Sequence, residues 1–284
     1  MVKKLFLLCG LAIGMVNAQA QDSNVFTHMG ASVGVGSTGV TIDLSTNVTD
    51  YVGVRVGADI MPKIKYGTDI DVNAGAYNNL VQRGLAIGLP NPNVPDKVDV
   101  EGKLNNTTGH VLFDFYPGSK IDWHLTVGAY FGSSKVVEVC TKDPSQLAGI
   151  AAYNAFCDAR PNYVVPISGP EPVVLNLRDD YKIGAQLGDY FLEPNADGSI
   201  DAYIKTASFR PYVGIGWGRA VPKNHSLGFS VDLGAQFWGT PKVYCQDKEL
   251  KASDVEGKDG GFMKTLTKIK VYPTLTFRLT GKFF

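Results

Sequence analysis

Eight segments of the chain alternate apolar or glycine residues with mostly polar ones, position by position. The last segment shows this most regularly, because from Val271 onward every second residue is apolar or glycine. A period of two predicts a β-strand whose two faces meet different surroundings. We therefore expect an all-β chain, with strands at residues 26–36, 40–47, 51–61, 106–116, 122–139, 203–218, 227–244 and 271–284.

The connections between these strands are sorted by length. The short ones are "NVTD", "PGSK" and "VPKNHS", whereas the long ones cover residues 62–105, 140–202 and 245–267. Only the first connection, "GSTG", is short on the side of the long loops. A soluble sandwich has no reason to sort its loops, but a transmembrane barrel keeps short turns in the periplasm and long loops outside. The pattern predicts an eight-stranded antiparallel up-and-down transmembrane β-barrel.

The polar face of the strands combines many glycines with charged residues. Small residues suit the inner wall of a narrow barrel, and buried charges of opposite sign can neutralise one another there. The alternative is a soluble β-sandwich secreted into the periplasm, with the same charges in water. We expect a polar network inside the barrel, formed by Asp43, Arg55, Asp59, His110, Asp114, Arg210, Asp232, Arg278 and Lys282.

The N-terminal segment has the order of a secretory signal peptide: basic residues, an apolar run, then Ala18-Gln19-Ala20. We expect cleavage after Ala20, so that residues 1–20 are the signal peptide and residues 21–284 form one barrel domain. Three cysteines would remain in an oxidising compartment. A disulfide between Cys140 and Cys157 is possible, and three unpaired thiols are the alternative.

Composition excludes some partners. The chain carries 27 basic and 27 acidic residues, so its net charge of zero gives no reason to expect a nucleic-acid partner. After the signal segment, no stretch approaches the roughly 18 to 20 apolar residues of a membrane helix. Any membrane role must therefore depend on strands.

Together these features resemble the small outer-membrane β-barrels of Gram-negative bacteria, the group of OmpA-, OmpX- and OmpW-like barrels. Several segments are more particularly similar to uncharacterised outer-membrane barrel proteins of the Bacteroidetes. These segments are "ASVGVGSTGVTIDLST", "YVGVRVGADIMPKIKY", "FRPYVGIGWGRAVPK", "VDLGAQFWGTPKVY" and "VYPTLTFRL". The resemblance covers essentially the whole mature chain and implies a location in the cell outer membrane.

In that group, the last strand carries a signal for the barrel-assembly machinery, with a terminal aromatic residue after alternating apolar ones. The resemblance assigns this signal to Leu275, Phe277, Leu279, Phe283 and Phe284. Phe284 is one position out of phase, so Phe283 is the last aromatic residue in register. A bulge at Gly281 or a frayed end would account for the mismatch.

Three features suggest a nucleotide site, a calcium site or a hydrolase, and the sequence argues against each of them. "GVGSTG" spells GxGxxG but precedes another strand, not the helix of a dinucleotide site. "EPNADGSID" resembles the start of a calcium loop but has Ile204 where the bidentate glutamate belongs. A hydrolase would need a histidine beside a nucleophile and a carboxylate, and the histidines form no such motif. They are His28, His110, His124 and His225.

We therefore expect a barrel filled by side chains that acts structurally or recognises an unknown extracellular ligand through its loops, with lipid around it and no cofactor. The alternative is a narrow conduit or a binding barrel for a small, possibly hydrophobic ligand. A membrane-embedded, lipid-modifying hydrolase is a minor alternative.

Overall fold

The computed structural model describes residues 28–168, 171–251 and 269–283. The expected signal peptide, residues 1–20, and Phe284 lie outside the described residues. Within this part of the chain, no helix is both long and apolar enough to cross a membrane.

Eight antiparallel strands close into a barrel, in the order β1, β18, β15, β14, β7, β6, β3, β2. With strands numbered along the chain, the barrel consists of β1 (Met29–Gly36), β2 (Gly39–Thr49), β3 (Val52–Ile60), β6 (Thr108–Phe115), β7 (Trp123–Gly132), β14 (Phe209–Trp217), β15 (Leu227–Phe237) and β18 (Val271–Lys282). The last strand pairs with the first, from Gly30 opposite Lys282 to Gly36 opposite Thr276. The predicted eight-stranded barrel is confirmed.

The barrel wall is apolar outside and polar inside. In β14, exposed and buried residues alternate at every position. Outward-facing Trp123 and Leu279 are more than half exposed, at 59% and 51%, whereas inward-facing Asp43 and Arg278 are 1% and 2% exposed. This is the reverse of a soluble protein, which places its apolar residues inside.

A second sheet stands on one end of the barrel, and we call it, with its helices, the cap. Its strand order is β12, β11, β4, β5, β8, β13, β16, β17. These strands are β4 (Ile64–Asn73), β5 (Lys97–Leu104), β8 (Lys135–Thr141), β11 (Gly184–Leu187), β12 (Tyr190–Leu192), β13 (Asp201–Lys205), β16 (Lys242–Cys245) and β17 (Lys248–Glu249). The remaining elements are a two-stranded sheet of β9 (Asn162–Val164) and β10 (Val174–Asn176), helices α1 (Gly75–Gln82), α2 (Ala148–Ala159) and α3 (Leu177–Asp180), and a 3-10 turn at Pro144–Leu147.

The long connections are therefore folded, not irregular loops. The cap strands β4, β5, β8, β13 and β16 follow one another in the same order as the barrel strands β3, β6, β7, β14 and β15 that they continue. The predicted long strands at 122–139, 203–218 and 227–244 are each broken in two where they leave the barrel. At the last break, Gly239 has a positive φ of 72°, which suits glycine.

The cap has its own apolar core. Helix α2 buries Ile150, Tyr153 and Cys157 in the same cluster as the sheet residues Val139 and Ala202. Strands β5, β8, β13 and β16 place one face in this core, and their opposite faces point outward. The cap is thus a folded body and not a set of separate loops.

Polar contacts hold helix α2 against the chain that follows it. The side-chain amide of Asn154 donates to the Ile183 carbonyl at 2.7 Å and accepts from the Ile183 amide at 3.0 Å. Lys182 bridges Asp158 at 2.8 Å and Glu193 at 2.7 Å. Burial alone would lower the pKa of Lys182, but hydrogen bonds with Asp158 and Glu193 outweigh it and raise that pKa.

The possible disulfide between Cys140 and Cys157 does not form in this structure, where both thiols are free. Cys140 pairs in register with Glu101 and Asp201, on the outward face of the sheet. Cys157 is fully buried in the core on the other face. The sheet itself separates the two sulfurs, which sequence spacing could not reveal.

Candidate functional site

Charged side chains fill the middle of the barrel. Eight of them are buried and connected by contacts, and we call this group the interior charge cluster. Its members are Asp43, Arg55, Asp59, His110, Asp114, His124, Asp232 and Arg278. Alternation along the strands places each of them on an inward position, as the sequence predicted for all but His124.

Arg55 occupies the centre of the cluster. Its two terminal nitrogens donate to both carboxylate oxygens of Asp232, at 2.9 and 3.0 Å. Nη2 also donates to Asp114 Oδ1 at 2.6 Å, and the Thr126 hydroxyl donates to the same oxygen at 2.7 Å. A two-pronged contact of this kind is a strong, directional ion pair.

Arg278 extends the chain of ion pairs toward the capped end. Its Nε donates to Asp43 Oδ2 at 2.7 Å, and its Nη1 contacts Asp232. Ser32 and Thr41 also donate to Asp43, at 3.2 and 3.1 Å. Arg278 thus joins β18 to β2 and β15, while the Arg55–Asp232 pair joins β3 to β15 on the opposite side of the barrel.

His110 lies between two carboxylates. Its Nε2 is 2.7 Å from Asp43 Oδ1, and its Nδ1 is 2.8 Å from Asp59 Oδ2. With both carboxyl groups ionised, each ring nitrogen of His110 carries a proton and donates to one of them. Thr38, in the turn after β1, donates to Asp59 at 2.9 Å and closes this end of the cluster.

His124 is a member that sequence reasoning missed. Its Nε2 is 2.9 Å from Asp232 Oδ1, and its ring lies 5.4 Å from that of Tyr116. The signal was present, because His124 stands between the outward-facing Trp123 and Leu125 and so must point inward.

Charges of opposite sign in the cluster largely offset one another. Four aspartates lie against two arginines and His110. Such pairing suits a narrow interior, where an unpaired charge is costly. Tyr130 and Tyr212, with ring centres 5.3 Å apart, fill the space beside it.

Two glycines make room for the cluster in the barrel wall. A Cβ added at Gly57 would overlap the Asp43 carboxylate and lie 2.9 Å from His110 Nε2. A Cβ added at Gly216 would meet the His124 ring and lie 2.7 Å from Asp232 Oδ1. Glycine at these positions allows the charged side chains to lie against the backbone.

Arg210 closes the capped end of the interior without an acidic partner among the described residues. It is fully buried and donates to Asn106 Oδ1 at 2.7 Å. It also donates to the carbonyls of Ala207 and Ser133, at 2.8 and 2.7 Å, where two strands bend from barrel to cap. Arg210 is thus buried as expected but belongs to the junction with the cap, not to the charge cluster.

The opposite end, which we call the turn end, is closed by backbone. The Ser45 hydroxyl donates to the Ala220 carbonyl at 2.8 Å, and the Tyr116 hydroxyl accepts from the Ala220 amide at 2.8 Å. Arg219 donates to the carbonyls of Ser119 and other turn residues. Lys282, expected in the polar network, is only half-buried here, and its Nζ donates to the Lys223 carbonyl at 3.0 Å.

The cluster lacks the geometry of a hydrolytic site. Ser32 donates to Asp43 and not to a histidine, and both nitrogens of His110 face carboxylates, so neither can accept a proton from a nucleophile. Ligand atoms of Asp114, His124 and Asp232 lie within 4.8 Å of one another, as a metal site would require. Arg55 binds both of these carboxylates and already supplies the positive charge.

The two glycine-containing motifs form turns. "GVGSTG" is the hairpin between β1 and β2, in which Gly36 pairs with Gly39. In "EPNADGSID", the Asn195 amide donates to the Ser199 carbonyl at 2.7 Å, and Gly198 has a φ of 84°. Both segments therefore have the turn geometry that the strand pattern favoured.

The predicted assembly residues lie on the outer wall near the end of β18. Leu275, Phe277 and Leu279 are exposed, and Phe283 is 63% exposed. Pairing of β18 with its neighbours continues through Gly281 with no shift in register, so no bulge occurs there. Phe284 lies outside the described residues.

No protein-family model matches the chain, and no curated protein matches it. Among solved structures, CarO2 of Acinetobacter baumannii is similar at 16% identity and a TM-score of 0.43, covering 90% of this chain and 98% of that one. CarO of the same species gives 13% identity and a TM-score of 0.43, over 93% and 100%. A major outer membrane protein from Thermus thermophilus gives 11% and 0.35, over 90% and 99%.

Proposed function

We propose that this protein is an outer-membrane β-barrel with a closed interior, which holds a folded recognition domain, the cap, at the cell surface. The observation that carries the proposal is the reversed wall: a closed ring of strands with exposed apolar residues outside and ion pairs inside. A closed barrel satisfies its backbone hydrogen bonds without water, as a membrane requires.

Aromatic residues at both ends of the wall support this placement. Trp123 and Trp217 pair in register at the turn end, and Phe131 and Phe209 pair in register at the capped end. All four are exposed. Aromatic girdles of this kind mark the two interfaces of transmembrane barrels. The turn end then faces the periplasm and the cap faces outside.

The filled interior supports a role other than general diffusion. The charge cluster crosses the barrel from His124 near the turn end to Asp59 near the capped end, and each end is closed by its own contacts. A solute would have to break buried ion pairs to pass. The cap, with its folded core and outward face, is the part that is free to meet a ligand, as surface segments on a rigid scaffold often do.

Two measurements test the proposal. The purified protein should require detergent for extraction and should migrate faster on a gel unboiled than boiled, because the closed barrel resists the detergent of the gel. Extraction without detergent and an unchanged band would indicate a soluble sandwich.

The closed interior is tested by current recordings. We expect planar bilayers with the reconstituted protein to show no stable openings. Stable openings would contradict the closed interior and favour a narrow conduit. Heat-modifiable migration of the same preparation is the control that the protein is folded.

A further inference from the structure

Three lysines form a row across neighbouring cap strands. Lys205 of β13 lies opposite Lys242 of β16 on one side and opposite Lys135 of β8 on the other, where the register shifts by one residue between Ile204 and Lys205. We call these three residues the rim lysine row. Directly paired residues point to the same face of a sheet, and like charges in such pairs are destabilising. An anion bound to the row would remove this cost.

The row lies just beyond the aromatic edge of the barrel wall. On the same three pairs of strands, the last outward-facing barrel residues at the capped end are Phe131, Phe209 and Phe237, each exposed. Each phenylalanine is four or five positions from its lysine in the sequence, which is at most roughly 13 to 17 Å of extended chain. A lysine stem can lie along apolar surface while its ammonium group stays in water.

The lysines point away from the cap core. Ile204 and Val243, their neighbours in sequence, are buried in the core. Tyr203 and Tyr244 lie on the lysine face and stack with ring centres 5.3 Å apart. The face therefore continues the outer wall of the barrel, and the row stands above the apolar band.

The two tyrosines hold the ammonium groups in place. Lys135 Nζ lies 3.9 Å from the Tyr203 ring centre, and Lys205 Nζ lies 4.5 Å from the Tyr244 ring centre. In the part of the chain that the structure describes, neither lysine forms an ion pair with a carboxylate. An aromatic face orients a cation without neutralising it.

Most acidic residues near the rim lysine row lie further from the barrel than the row does. Lys242 pairs with Glu249 at 3.0 Å, and Glu138 stands opposite Tyr203, one step beyond the row. Asp247 accepts a hydrogen bond from the Tyr203 hydroxyl at 2.6 Å. Positive charge is thus concentrated at the edge that adjoins the apolar band.

We propose that the rim lysine row binds the phosphate groups of a phosphorylated lipid headgroup in the outer leaflet around the barrel. The inference rests on the proposed membrane placement, which puts the phenylalanines among acyl chains and the lysines at headgroup height. The positive charge of the row favours an anionic ligand, and the apolar band beside it favours an anion that carries acyl chains. A soluble protein partner could not reach the phenylalanines, because lipid covers them.

The test is binding of diphosphoryl lipid A to the full-length protein in a nonionic detergent, followed by native mass spectrometry. The variant Lys135→Gln/Lys205→Gln/Lys242→Gln should bind on the order of a hundredfold more weakly, at about fivefold per lysine. The matched control is Lys97→Gln/Lys142→Gln/Lys248→Gln, at the ends of cap strands away from the barrel, and it should bind as the unaltered protein does.

Equal binding by the row variant and the unaltered protein would overturn the inference, as would equal losses in both triple variants. Displacement of lipid A by inorganic phosphate at comparable concentration would assign the row to a free anion instead. Each variant is first checked for heat-modifiable migration, so that misfolding is excluded. If the protein inserts as a heat-modifiable barrel but the row variant binds lipid A as tightly as the unaltered protein, only this inference is refuted, and the proposed function stands.

Discussion

Asp232 contacts more basic side chains of the interior charge cluster than any other aspartate does. It accepts hydrogen bonds from Arg55, Arg278 and His124, and all four side chains are buried. Asp232→Asn would leave two guanidinium groups facing a neutral amide. Breaking a buried ion pair in this way costs about 3–5 kcal/mol. We expect that loss in urea unfolding of the protein in lipid vesicles, followed by tryptophan fluorescence.

The control for this substitution is Asp122→Asn. Asp122 also pairs with an arginine, Arg219, at 3.3 Å, but its side chain is 51% exposed. An exposed pair contributes about 0–1 kcal/mol. Similar losses in the two variants would show that the cluster is not the main polar stabilisation of the barrel.

Gly57 should be intolerant of even one additional carbon. Gly57→Ala forces a methyl group against the Asp43 carboxylate and the His110 ring, and overpacking of this kind costs roughly 1–3 kcal/mol. Gly102→Ala, in cap strand β5, is the control, because the nearest heavy atom to its new Cβ would be 3.7 Å away. The same unfolding measurement should separate the two variants, and equal stability would mean that the cluster moves freely.

For individual residues, the alternation of apolar and polar positions alone predicted which charged side chains point inward. It could not show which inward residues meet, because contacts across the barrel depend on strand order and tilt. Arg210 illustrates the difference: its inward position was predictable, but its partners are carbonyls at strand bends that the sequence does not reveal.

Strand β18 contains the predicted assembly signal. Its register predicts which of two changes, Phe283→Asp or deletion of Phe284, impairs membrane insertion more. Phe283 is exposed on the outer wall, and its amide donates to the Met29 carbonyl at 2.8 Å. Phe283→Asp places a charge on the lipid-facing wall near the interface, at a cost of up to about 1 kcal/mol there, besides removing the in-phase aromatic. We expect it to impair insertion more than deletion of Phe284, measured as the heat-modifiable fraction in isolated outer membranes. The opposite ranking would refute the register.

The cap strands and helix α2 determine how the cysteines react. Burial raises the pKa of Cys157, and it raises that of Cys245 to about 11. Because the thiolate is the reactive form, both should label slowly near neutral pH, and labelling of Cys245 should rise only as the pH approaches that value. Half-buried Cys140 should react first.

Maleimide labelling in denaturant without reductant counts the free thiols in the protein. We expect three labelled thiols per mature chain, all in the cap. A single labelled thiol would show that two of the three cysteines form a disulfide, and peptide mapping would then identify the pair.

For the strands, the sequence pattern predicted where each barrel strand lies along the chain, but it did not predict where each strand ends. Alternation continues from Trp123 to Val139 with little interruption, although the chain bends at Ser133 and Ser134 to leave the barrel. Each bend is stabilised by contacts from distant residues, such as Arg210 to the Ser133 carbonyl, and local patterns contain no trace of them.

For the whole molecule, the barrel and the cap have separate interiors. The contacts of Arg210 lie in the bends themselves, so they survive if the cap is removed. We expect a chain in which short turns replace residues 64–104, 135–205 and 242–269 to remain a heat-modifiable barrel. A variant that no longer shifts on boiling would show that the cap core is needed for barrel folding. The Asp232→Asn change introduced into this shortened chain should destabilise it by a similar amount.

The cap is the part of the architecture that sequence reasoning did not predict. The long connections were recognised as long, but their strands pair with partners far along the chain, as Lys135 does with Lys205. Such pairings require knowledge of which barrel strands are neighbours. Once the barrel order is known, the cap order follows from it.

The continuation of barrel strands into the cap is confined to one arc of the ring. Among the described residues, cap strands extend β3, β6, β7, β14 and β15, while β1, β2 and β18 end at the rim. The first and last strands of the ring, β1 and β18, pair directly with each other on the other arc. The seam that closes the cylinder is thus formed by two strands that no described cap strand extends, so it can form or open without any rearrangement of the cap sheet.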